Sequence, residues 1–115
     1  MKSLTISDLL KKQREFDEQH IGALPFFAPI DETNLEDLEH LIVCLLGELG
    51  EFANVVKKVR RGDFPLSAAK AELDEELVDV FVYLLKICGQ FNVDLEAGYI
   101  KKMEKNMEKF KKFKR

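Results

Sequence analysis

The stretch LGELGEF, Leu46 to Phe52, lies in a long run of helical period and sets Glu48 and Glu51 beside the apolar side that such a helix would bury. DEELVDV, Asp74 to Val80, repeats the arrangement. At an offset of 28 residues, Leu45, Glu48 and Phe52 match Leu73, Glu76 and Val80, and Glu51 with Val55 matches Asp79 with Tyr83. On a helical projection Leu38, Leu41, Ile42, Leu45, Leu49, Phe52, Val56 and Val59 form one stripe, with Glu48 and Glu51 on its edge. Leu73, Leu77, Val80, Leu84, Ile87 and Phe91 form a second, with Glu76 and Asp79 on the matching edge. A turn around Gly62 to Pro65 makes the two helices antiparallel neighbours, so the acid edges can face each other.

Working outward, the remaining segments are helical too. The first helix begins near Thr5 or Ser7, carries Leu9, Leu10, Gln13, Phe16 and Asp17 toward His20, and ends at Gly22 and Pro25. The second opens on Thr33 with Glu36 as a capping box and runs to Arg60 and Arg61 before Gly62. The third follows Pro65, with Ser67 as its cap, and stops between Gly89 and Asn92; the fourth is capped by Asp94 and continues into the basic end. No alternating run is long enough for a strand. The expectation is an all-α fold, a four-to-five-helix bundle, forming a single domain over residues 1–115.

A hydrophobic fraction of 46% supports a packed globule. No apolar run approaches the ~18 residues of a membrane span, and the start lacks the order of a signal peptide, so a cytoplasmic protein without a membrane partner is expected. Cys44 and Cys88 each sit in an apolar helical pattern and are expected as reduced core residues. Although the net charge is -3, the last fifteen residues hold eight Lys or Arg against two Glu. With no nucleic-acid-binding motif, that end is read as a solvated helix terminus, and a nucleic-acid partner is not expected.

If the four carboxylates converge, their repulsion is large. Two like charges at 4 Å cost about 4 kcal/mol at an effective dielectric near 20, against a total stability of roughly 5 to 15 kcal/mol for a small domain. A cation or protons must compensate. Oxygen-only ligands favour Mg²⁺, with Mn²⁺ as a substitute, and the lack of histidine in either motif argues against zinc and di-iron sites. Magnesium on carboxylates completes its shell with water and phosphate oxygens, which makes a phosphate ester the natural ligand. A single ExxE would instead be read as a solvated helix flank.

ExxE, Glu48 to Glu51, followed by ExxD, Glu76 to Asp79, resembles the mark of the MazG-like all-α nucleoside triphosphate pyrophosphohydrolase superfamily. The likeness spans about residues 33 to 110. It implies Glu48, Glu51, Glu76 and Asp79 as metal ligands, with Glu48 or Glu51 doubling as general base. VDLEAGYIKKMEKNMEKF is similar to the family's last helix, which implies that Lys102 and Asn106 face substrate; Tyr83 falls where some relatives set an aromatic against the nucleotide. Where the family often has Arg-Tyr, this chain has Lys109-Phe110. Lys57 and Lys58 are further candidates for phosphate contact, although a helix C-terminus attracts cations by itself.

The implied activity is Mg²⁺-dependent hydrolysis of a nucleoside triphosphate, ribo or deoxy, between the α and β phosphates, releasing nucleoside monophosphate and pyrophosphate in nucleotide-pool cleaning. Two other readings compete: a non-enzymatic helical module that binds nucleotide or a protein partner, and pyrophosphate removal from phosphoribosyl-ATP. Phe26, Phe27, Phe110 and Phe113 are hard to bury in one small subunit, so a homo-oligomer, dimer or tetramer, is expected.

Overall fold

The computed structural model describes residues 3–115. It has four helices, α1 (Ile6–Glu18), α2 (Leu35–Arg60), α3 (Leu66–Gln90) and α4 (Leu95–Lys109), followed by a 3-10 turn (Lys111–Phe113). Among the described residues the only β feature is an isolated bridge between Ile21 and Pro25, so the fold is all-α. No helix among them is long and apolar enough to cross a membrane.

The α2–α3 hairpin is the frame. Gly62, at φ +90, closes α2: its N–H reaches the Val59 carbonyl and the Asp63 N–H reaches that of Lys58. Only glycine adopts that backbone without strain. Val55, Ala69 and Leu73 then form the buried contact between the two helices, walled by Phe52, Val59 and Phe64. At its far end α3 stops on Asn92, at φ 60, a conformation asparagine tolerates.

Two caps differ from expectation. Thr33 does not cap α2, because its hydroxyl and N–H both donate to Asp31 Oδ1, at 2.5 and 2.7 Å, in a turn preceding the helix. Asn34 is the cap residue instead, with no side-chain capping bond. Likewise α3 starts at Leu66 on Pro65, one residue before Ser67 could cap it. Thr5 and Asp8 do form a capping box on α1, and Asp94 caps α4 through the Ala97 N–H.

The apolar stripes also need redrawing. Leu41 and Val55 are the buried residues of α2, and Ala69, Leu73, Leu85 and Cys88 the buried apolar residues of α3. Ile42, Leu49, Val56, Leu77, Leu84 and Phe91 are exposed. Each helix is apolar on more than one side, so a single wide stripe spans both the buried seam and an outward face.

Helix α1 packs on α3, and α4 packs more lightly on α1, where Ser7 Oγ donates to Glu96 Oε2 at 2.8 Å. The arrangement is open. The chain exposes 9132 Å², against about 6,500 Å² for a folded monomer of its mass. Its radius of gyration is 17.6 Å, where a compact chain of this length has about 13 Å.

Candidate active site

The α2–α3 seam accounts for the first glutamate of LGELGEF. Glu48 lies one turn from Phe52 and two from Val55, and Glu76 lies about one turn from Leu73, so these two acids sit within the α2–α3 seam rather than beside it. Carboxylate oxygens of Glu48, Glu76 and Asp79 all lie within 4.8 Å of one another, and all three residues are half-buried. Glu51 is exposed and stands outside this trio, although its carboxylate lies beside that of Glu76.

The electrostatics follow from that crowding. Burial, then the carboxylates of Glu51 and Glu48, push the Glu76 carboxyl up to about 7. Glu48 is also raised, first by burial and then by the charges of Glu51 and Asp79, while a hydrogen bond with Glu76 works the other way. Glu76 Oε2 is buried and has no hydrogen-bond partner among the described residues. Ionised carboxylates only accept, so Glu48 and Glu51 can satisfy Glu76 only by sharing a proton with it. An orphaned carboxylate oxygen amid two other carboxylates fits a bound cation, and the all-oxygen donor set suits a hard one.

The other expected residues divide. Tyr83, one turn beyond Asp79, is half-buried beside the acids; burial first, then the Cys44 thiol and the charges of Glu48 and Asp79, push its phenol up. Lys57 and Lys58 lie in the last turns of α2, about 14 and 15 Å along the axis from Glu48. Lys102, exposed, and Asn106, half-buried, sit on α4, which packs on α1 and the 3-10 turn rather than on the acid-bearing hairpin. Glu72 and Glu75 are exposed flank residues.

Tyr83 also borders a cavity of about 450 Å³ that the sequence reading missed. The 22–28 loop covers it, with Asp37, His40 and Cys44 on the α2 side and Lys86 and Gln90 on the α3 side. Gln90 pins the loop: its Nε2 donates to the Phe26 carbonyl at 3.0 Å and its Oε1 accepts the Ala28 N–H at 3.4 Å. Cys44 is therefore a half-buried cavity residue rather than core, whereas Cys88 is buried. His20 stacks between Phe16 and Phe26, an N-terminal packing role. The available signal was Lys86 itself, a charge inside the apolar run FVYLLKICG.

Comparison with known proteins supplies the family. The chain is similar to dCTP pyrophosphatase 1 of Mus musculus, at 32% identity over 74% of this chain and 52% of the relative. The same protein of Rattus norvegicus gives 30% identity and that of Homo sapiens 29%, with the same coverage. The chain thus spans about half the length of the curated relatives it matches. No solved structure shows a significant match. The description "MazG nucleotide pyrophosphohydrolase domain" matches residues 36–114, from the first turn of α2 past the 3-10 turn and including all four acids. This chain belongs to the MazG nucleotide pyrophosphohydrolase family.

Proposed function

We propose that residues 1–115 form one domain that hydrolyses a nucleoside triphosphate, ribo or deoxy, to its monophosphate and pyrophosphate with the help of Mg²⁺ or Mn²⁺, as a nucleotide-pool enzyme of the cytoplasm. The observation that carries the reading is the orphaned Glu76 oxygen among the clustered carboxylates of Glu48 and Asp79. The family membership and the dCTP pyrophosphatase relatives support it.

Glu48, Glu76 and Asp79 would hold the ion, with Glu51 at its rim. Bound there, the cation would neutralise phosphate charge and make water more acidic. Glu51, exposed and outside the trio, is the carboxylate best placed to accept the proton of a water attacking the α-phosphorus. The new bond joins that oxygen to phosphorus as the bond to the bridging oxygen breaks, its electrons leaving with pyrophosphate. Tyr83 flanks the acids on the side of the cavity, where the nucleoside would lie.

Release of pyrophosphate from a panel of nucleoside triphosphates in Mg²⁺, and its loss in chelator, tests this directly. Turnover of none of them overturns it.

The reading extends to a homo-oligomer. Its support is the excess exposed surface of some 2,600 Å², the scale that an extensive permanent interface buries. Tyr99, Ile100, Met103 and Met107 form much of the exposed apolar surface on α4, the helix that bears Lys102 and Asn106. Sedimentation equilibrium should give a multiple of 13.3 kDa, and Ile100→Glu with Met103→Glu should shift it toward the single-chain mass. A parent that sediments as a single chain contradicts this part.

If α4 meets substrate across that interface, Lys102→Ala and Asn106→Ala should each weaken kcat/KM by about tenfold with the oligomer intact. Unchanged kinetics in both would remove them from the site.

A further inference from the structure

The cavity beside the acids contains a charge that the hydrolytic chemistry does not use. Lys86 is 14% exposed; its ammonium donates to Asp17 Oδ1 at 2.8 Å and lies 5.2 Å from the centre of the Phe26 ring. Asp17 is 1% exposed and also accepts from Gln13 Nε2 at 3.1 Å. A buried carboxylate whose Oδ1 accepts from both Gln13 and Lys86 thus holds the lysine at the cavity wall. An ammonium has three donors, and Asp17 takes one.

We propose that Lys86 determines specificity by donating a hydrogen bond to a carbonyl oxygen of the nucleobase, with Asp17 as its positioning residue. The proposal rests on the nucleotide reading above and adds to it the class of base.

Three observations argue for a base rather than a phosphate. Asp17 neutralises Lys86, so the pair offers little net attraction to a multiply charged anion. The walls include the rings of Phe26 and Tyr83, which suit a flat heterocycle. Lys86 also lies seven residues beyond Asp79 on α3, about 10 Å along the axis, a separation that fits phosphates at the acids and a base at the lysine. Lysine cannot accept a hydrogen bond, so the edge it meets must present an acceptor. Asp37 and His40 line the same cavity from α2 and carry groups able to accept from an exocyclic amine. Cytosine, uracil and guanine carry the carbonyl, and adenine does not.

The test is equilibrium binding, in Mg²⁺, of the α,β-methylene triphosphates of cytidine, uridine, guanosine and adenosine. The parent should bind at least one carbonyl-bearing base about tenfold or more tightly than adenine, the size of one hydrogen bond to a charged group. In Asp17→Leu/Lys86→Met, which removes both charges at similar volume and leaves no buried charge unpaired, the ratio should fall to near one. Lys86→Arg keeps the ion pair but moves the donors, and should also lower the ratio; it decides the matter if the double variant does not fold. Asp17→Asn keeps the lysine but loosens it, and the ratio should drop, whereas a general loosening of the fold would weaken all four ligands alike. A parent without preference, or folded variants that keep the parent's preference, would overturn the role of Lys86 while leaving the triphosphate reading intact. Failure of all four to bind would overturn both.

Discussion

Replacing Glu76 by glutamine should lower metal-dependent turnover by at least about a hundredfold, since partners one layer outside a metal's ligands already cost about 10- to 100-fold when lost. The same change should leave the metal-free protein folded. Glu76 is the acid whose buried oxygen lacks a donor and whose carboxyl holds its proton up to about pH 7. Glutamine resembles that protonated form and supplies an N–H for its neighbours.

The raised pKa fixes the sign of the stability change. Protonated Glu76 favours the folded state, a contribution fully present below the ordinary value of 4.5 and lost as pH rises through about 7. Melting curves in chelator should therefore show the parent losing stability between about pH 4.5 and 7 relative to Glu76→Gln. At pH 8 the variant should be at least as stable as the parent. A variant that melts well below the parent in chelator at pH 8 would make Glu76 a structural partner rather than a frustrated ligand.

Mg²⁺ should produce the second large effect. Where the acids are ionised, binding to the native state alone stabilises by about 2.7 kcal/mol at a hundred times Kd, which for a chain of this size is roughly 10 °C in Tm. At pH 5 protons occupy Glu76, and the gain should shrink. Glu76→Gln should respond weakly at either pH. A parent whose Tm ignores Mg²⁺ at pH 8 would mean that the trio shares protons, not a metal.

The fold was legible because its punctuation is local. Gly62, Asn92, Asp94 and the pairing of Thr5 with Asp8 mark helix ends that periodicity alone would leave loose. The convergence of Glu48, Glu76 and Asp79 was legible from the matched motifs and the short turn between their helices. That the acids lie inside the seam was not, since both helices are apolar on two sides and nothing local says which side is buried. Thr33 misled because an aspartate two residues earlier outcompetes the helix for its hydroxyl. The pair Asp17 and Lys86 was invisible because 69 residues separate its members, although Gln13 and Asp17 stand one turn apart on the first helix. Lys102 and Asn106, implied by the resemblance, and Lys57 and Lys58 lie on α4 and at the end of α2; sequence puts a residue on a helix face, and packing decides what that face meets.

The most direct measurement is hydrolysis of a nucleoside triphosphate in oxygen-18 water, with mass spectrometry of the products. The account predicts nucleoside monophosphate carrying one heavy oxygen and unlabelled pyrophosphate, because water attacks the α-phosphorus beside Glu48, Glu76 and Asp79. Nucleoside diphosphate with labelled orthophosphate would place the attack at the γ-phosphorus and contradict it.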